Sequence, residues 1–149
     1  MTHQSVEARL AAMGLELPAA PSPVAAYVPA VTCGNLVFTS GQIPLVKGEL
    51  ACKGTVGKDC TEEQAQEAAK ICALNCLAVI KAQIGSLDRI ERIVKVVGFV
   101  NCMDTFTMQP KVINGASEFL ARCSATRANT PVPPWAPIRS LWTALLKWK

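Results

Sequence analysis

Between Thr61 and Ile84, apolar side chains recur at Ala65, Ala68, Ala69, Cys72, Leu74, Cys76, Leu77, Ile80 and Ile84, the three- and four-residue spacing of a helix. Thr61-Glu62-Glu63-Gln64 has the form of a capping box, and Gly85 follows as a stop, so one long helix is expected over this stretch. A shorter amphipathic helix is expected from Ser5 to Met13, where Val6, Leu10 and Met13 share a face and Gly14 closes the run. A connector rich in proline and alanine follows from Pro18 to Pro23. Tyr27 to Thr32 and Leu36 to Thr39 are β-branched or aromatic and flank Cys33-Gly34-Asn35, which predicts a hairpin. Ile93 to Val100 is nearly continuous in apolar residues and predicts a strand buried on both faces. Val112 to Leu120 returns to helical spacing. The order strand, strand, helix, strand, helix defines an α+β sandwich, with helices on one face of a sheet.

A chain of 149 residues fits one domain, in which roughly 70% of the unfolded surface can be buried without disulfide or metal staples. Half of the residues are apolar and 17% are charged, a globular balance. The net charge of +4 comes from the end of the chain: Arg122, Arg127, Arg139, Lys147 and Lys149 meet no acid there, and the part before them is close to neutral. That body carries no footprint for nucleic acid or anionic lipid. No apolar run is long enough to span a bilayer, and Glu7 and Arg9 interrupt the first residues, so neither export nor membrane insertion is expected and a cytoplasmic location is.

The seven cysteines show no C-x-x-C spacing, and His3, near a fraying terminus, is the one imidazole. Neither a zinc site nor a disulfide framework is expected, no metal or cofactor is implied, and Cys72 and Cys76 read as core thiols on one helix face.

Gly34-Asn35-Leu36-Val37-Phe38-Thr39-Ser40-Gly41-Gln42-Ile43-Pro44-Leu45 resembles the G-N-x-x-x-x-S-G-Q-x-P signature of the RidA/YjgF family, also called endoribonuclease L-PSP. Tyr27, the turn Leu87-Asp88-Arg89-Ile90 before the Lys95 strand, and Val112-Ile113-Asn114 support the likeness. The N-terminal helix and Gln109-Pro110-Lys111-Val112-Ile113-Asn114-Gly115-Ala116-Ser117 resemble the chorismate mutase-like subgroup. The likeness runs from about Glu7 to Ala121. It implies a mixed sheet with two helices on one face, a homotrimer, and clefts between neighbours that hold a small-molecule metabolite.

By the same resemblance, Tyr27, Ser40, Gly41 and Asn114 line the cleft, with the backbone N–H after Ser40 offering a donor to a carboxylate or keto oxygen. Each has a plain structural alternative. Ser40-Gly41 serves equally as a strand-end turn, Tyr27 as an aromatic at the edge of the core, and Asn114 as a helix N-cap. Deaminating members of the family also use an arginine in an H-A-R-S or P-A-R-S segment to clamp the substrate carboxylate, and a glutamate in a V-E-x-E strand to activate water. Neither segment is readable here, and no catalytic residue can be named.

The composition changes after Arg122. Pro131, Pro133, Pro134 and Pro137 crowd together, and Trp135, Trp142 and Trp148 appear where the body has no tryptophan. Codons exist for Cys123 to Ala136 which, read one base back, encode VFGDAGKHARSAVG, and Ser140 to Lys149 likewise permits PLDGAAEVE. Both strings resemble the family's missing closing strands. The division expected is therefore a family domain over residues 1–122, incomplete in its last strands, and a frame-shifted, unrelated tail over 123–149. Such a tail should place no central strand between Cys123 and Pro137, should be coil with a helical turn or more near Leu141 to Lys147, should bury its tryptophans poorly or lay them over the vacated sheet face, and should leave the Ile93 to Val100 strand at an uncovered edge.

The function expected of the intact product is deamination of reactive enamines and imines derived from amino acids, with this polypeptide itself inactive. A non-catalytic trimer that binds a small keto acid is one alternative. An endoribonuclease is another, opposed by the near-neutral body and by the lack of an aromatic stacking platform.

Overall fold

Local sequence signals set the ends of the helices. In the computed structural model, which describes residues 4–20, 27–123 and, for the backbone alone, 142–148, α1 spans Val6–Ala12 and is capped by the Ser5 side chain accepting from the Ala8 N–H. Helix α2 spans Glu62–Ile84, and its capping box closes in both directions: Thr61 accepts from the Gln64 N–H, and Gln64 accepts from the Thr61 N–H. Gly85 ends it, donating to the Lys81 carbonyl.

Strands β1 (Ala30–Cys33) and β2 (Leu36–Thr39) form the expected hairpin, with Ala30 opposite Thr39 and Cys33 opposite Leu36. A small hairpin not foreseen in the sequence follows, β3 (Leu45–Val46) and β4 (Glu49–Leu50). Two-residue strands are too short to leave a periodic signal. Strand β5 spans Ile90–Gly98, starting three residues earlier than its apolar run, and α3 spans Gln109–Cys123. Helix α3 therefore begins well before Asn114, which lies exposed inside it and is not an N-cap.

The last strand corrects the reading of the tail. Trp142–Trp148 is neither coil nor a helical turn; it is β6, in the middle of a sheet ordered β1-β2-β6-β5. It pairs antiparallel with β2, Val37 opposite Leu146, and with β5, Val96 opposite Ala144. The physical reason is that a ladder is made of backbone groups. A slot between β2 and β5 accepts any proline-free stretch of strand-forming residues, and Trp-Thr-Ala-Leu-Leu-Lys-Trp is one. Among the described residues β5 still ends the sheet on its outer side, but β6 covers its inner edge. All three pairings among these strands are antiparallel. The Pro131 to Pro137 stretch and the tryptophan side chains lie outside the described residues.

The helices cover one face of the sheet. Helix α2 is the spine: Ala69, Cys72, Ala73, Cys76, Leu77, Val79, Ile80 and Ile84 are all buried, on more than one side, because α2 packs on the sheet and on α3 together. Small residues permit that approach. Strand β5 is buried through Ile93 and Val96 and only half-buried at Val94 and Val97, so within one chain it is covered on a single face instead of two.

Cys72 and Cys76 are 1% and 3% exposed, as the core reading requires. Burial pushes both thiols up, Cys76 to about 12, against a slight opposing effect of its hydrogen bond with Thr39. Burial likewise raises Cys123 to about 11. A group whose pKa is higher folded than unfolded stabilises the fold below its unfolded value, and that contribution is lost as pH rises toward the folded value. Stability should therefore fall from about pH 9 upward, at up to about 1.4 kcal/mol per pH unit for each such thiol. Urea midpoints measured at neutral and alkaline pH check this, and Cys72→Ala should flatten the slope.

Candidate functional site

Ser40 follows directly on β2 and is held by the segment just before β1. Its N–H donates to the Pro29 carbonyl at 2.8 Å, extending the hairpin ladder, and its hydroxyl donates to the Val28 carbonyl. Tyr27, next to Val28, is thereby kept at the same corner, 45% exposed. Gln42, buried at 7% exposure, donates from its amide to the Ser40 carbonyl across Gly41 and closes the Ser-Gly-Gln turn.

This turn is anchored to the core through Asn75. That side chain, on α2 and 4% exposed, donates to the carbonyls of Ile43 and Leu45 at 3.0 and 3.1 Å. A buried amide donating to two loop carbonyls ties the loop to α2, since the amide itself has no solvent to turn to. Sequence reasoning missed both supports. Gln42 stood inside the signature, so its signal was present; Asn75, in an apolar helix face, had none.

Side-chain alternation decides which face Ser40 uses. Val37 and Thr39 are buried toward α2, where the Thr39 hydroxyl reaches the Cys76 sulfur, and the intervening Phe38 is exposed on the opposite face. Ser40, next in the alternation, turns to the Phe38 side. Asn114 stands on α3, whose neighbours are α2 and α1, on the helical side. One chain thus brings Ser40, Gly41, Gln42 and the Tyr27–Val28 segment together and does not bring Asn114 to them. The sheet face beside the turn is apolar and open: Val28, Val31 and Phe38 are 59%, 51% and 41% exposed.

Among the described residues, no three His, Cys, Asp or Glu side chains come together in a way that could hold a metal ion, and no helix is long and apolar enough to cross a membrane.

An α+β sandwich with a Ser-Gly-Gln turn at the end of its first hairpin defines a class of small sheet-and-helix proteins, and comparison with known proteins places this chain in it. Residues 7–141 match the YjgF/chorismate mutase-like endoribonuclease family, and the chain belongs to that family. It is 36% identical over 137 residues to Protein TCP17 of Trypanosoma cruzi, covering 85% of this chain and 86% of the relative. In structure it is similar to a protein of unknown function from Agrobacterium tumefaciens, with 36% identity and a TM-score of 0.87 over 97% of this chain and 92% of that one. It is equally similar, at 30% identity and a TM-score of 0.87, to a Shewanella oneidensis protein carrying a provisional endoribonuclease label, over 96% of this chain and 99% of the other.

Proposed function

We propose that the intact gene product is a RidA-like deaminase that hydrolyses enamine and imine metabolites derived from amino acids. The observation that carries the reading is the Ser40-Gly41-Gln42 turn, braced by Asn75 and closed against Tyr27–Val28. A turn fixed in this way can present the Gly41 N–H to a substrate carboxylate or keto oxygen without reorganising, which is where such a donor is worth most. Water would then attack the anchored imine carbon and ammonia would leave. The pocket of this reading is lined by Tyr27, Ser40 and Gly41 of one copy, with Asn114 supplied by a neighbouring copy, since its own chain keeps it on the helical side.

A homotrimer supplies that neighbour. The open apolar face carrying Val28, Val31 and Phe38 is the surface such an assembly would cover. The proposed setting is the cytoplasm, which suits a chain whose seven cysteines lack the spacing of a disulfide framework.

In the polypeptide as it stands, the clamp arginine and the water-activating glutamate are not encoded, because both belong to the frame abandoned after Arg122. On this reading residues 123–149 are a frame-shifted tail, whose last stretch takes the place of the closing strand without supplying its chemistry. The same absence favours the non-catalytic alternative, a trimer that only binds a small keto acid. The family's endoribonuclease label gives the third reading, which the near-neutral body opposes. Ammonia release from freshly generated 2-aminoacrylate separates enzyme from binder, and salt-sensitive RNA binding would support the nuclease.

A further inference from the structure

The loop between β4 and α2 brings together two cysteines that the proposed chemistry does not use. Residues 52–60 fold back on themselves. The Asp59 carboxylate accepts from the Thr55 N–H at 2.8 Å, the Asp59 and Cys60 N–H groups donate to the Thr55 carbonyl, and Gly57 donates to the Cys60 carbonyl. Gly54 is the hinge: its φ is +105°, and a Cβ there would lie 2.7 Å from the Asp59 carboxylate oxygen, so only glycine permits the fold-back.

The loop is pinned at both ends. Ala51 donates to Pro44, Val56 donates to Asn101, Met103 donates to Val56, and the Asn101 amide donates to the Gly54 carbonyl. Cys52 and Cys60 consequently line the same cavity, of about 60 Å³, together with Ala69, Cys72, Val100 and Val112. The Cys60 thiol donates to the carbonyl of Lys53, the residue next to Cys52, at 3.5 Å, and Cys52 is near enough to raise the Cys60 pKa.

We propose that Cys52 and Cys60 form a reversible oxidation site, which peroxide converts to an intramolecular disulfide that locks this loop. Cys52 is partly exposed and Cys60 is buried, which assigns the order of events. The Cys52 sulfur attacks a peroxide oxygen and breaks the O–O bond, giving a sulfenic acid and one water. The Cys60 sulfur then attacks the Cys52 sulfur; the S–S bond forms, the S–O bond breaks, and the departing hydroxide takes the Cys60 proton as a second water. Two thiols are oxidised and one peroxide is reduced. Burial, the neighbouring Cys52 and Asp59 push Cys60 up to about 11, which keeps it protonated and leaves the partly exposed Cys52 to initiate the reaction.

The test uses the whole chain treated with hydrogen peroxide, then alkylated under denaturing conditions and digested with trypsin. Cleavage after Lys53 and Lys58 leaves Cys52 in Gly48–Lys53 and Cys60 in Asp59–Lys70. The expected result is that alkylatable thiols fall by two from the seven present, that these two peptides appear covalently joined, and that dithiothreitol releases them. The link should persist in Cys102→Ser and Cys72→Ser and vanish in Cys52→Ser. Recovery of both peptides unlinked after the exposed Cys33 has been oxidised would overturn the proposal. So would a link from Cys52 to Cys102, which lies across the Val56 bridge.

Discussion

Gly115→Val is expected to destabilise the fold by about 3 kcal/mol, the upper end of what overpacking costs, or to prevent folding altogether. Gly115 sits where α3 crosses α2, and a Cβ there would overlap the Gln66 carbonyl oxygen and lie 2.8 Å from its carbonyl carbon. The obstacle is helix backbone, which cannot swing aside as a flexible side chain can. The Gln66 amide also donates across the same crossing to the Lys111 carbonyl at 3.0 Å, and the Lys111–Glu62 ion pair bridges it one turn away. Forcing the helices apart therefore costs packing and polar contacts together. A urea midpoint lowered in proportion checks this; an unchanged midpoint would mean that the two helices do not cross this closely.

Asn75→Ala should cost about 3 kcal/mol, combining two carbonyls left without a donor with a small void in the core. The Ile43 and Leu45 carbonyls, which accept from Asn75, follow immediately on the Ser-Gly-Gln turn. Hydrogen exchange should therefore quicken at residues 41–46 more than in the β1–β2 hairpin. Uniform loss of protection across the chain would instead mark Asn75 as an ordinary core residue with no particular hold on the turn.

What could be read from the sequence was what short-range chemistry determines. The Thr61–Gln64 box, the Gly85 stop and the Gly34-Asn35 turn each involve residues a few positions apart, and all three formed as expected. The Cys72 and Cys76 burial followed from helical spacing alone. What could not be read depends on long-range partners. Trp142–Trp148 was judged by the prolines before it, yet its place in the sheet is decided by the free edges of β2 and β5, which no local pattern reveals. No local pattern marks Asn75, because the carbonyls it serves lie some thirty residues away. The Cys52–Cys60 approach needs the Asp59 turn and the Gly54 hinge, neither of which spacing shows. In the candidate site, the signature located Ser40 and its turn, while Asn114 was carried over from a short pattern that does not show where α3 lies, and within one chain it stands on the helical side.

On the function proposed above, the charged groups of the deaminase chemistry lie in the frame abandoned after Arg122. The measurement that tests it most directly is ammonia release from freshly generated 2-aminoacrylate, run side by side on this polypeptide and on one that continues after Arg122 in the frame one base back. The expected result is no release above the uncatalysed background from this chain and catalytic release from the other, abolished when the arginine of its H-A-R-S segment is replaced. Robust ammonia release from this polypeptide itself would mean that the chemistry does not need the abandoned frame and that the proline- and tryptophan-rich tail is native.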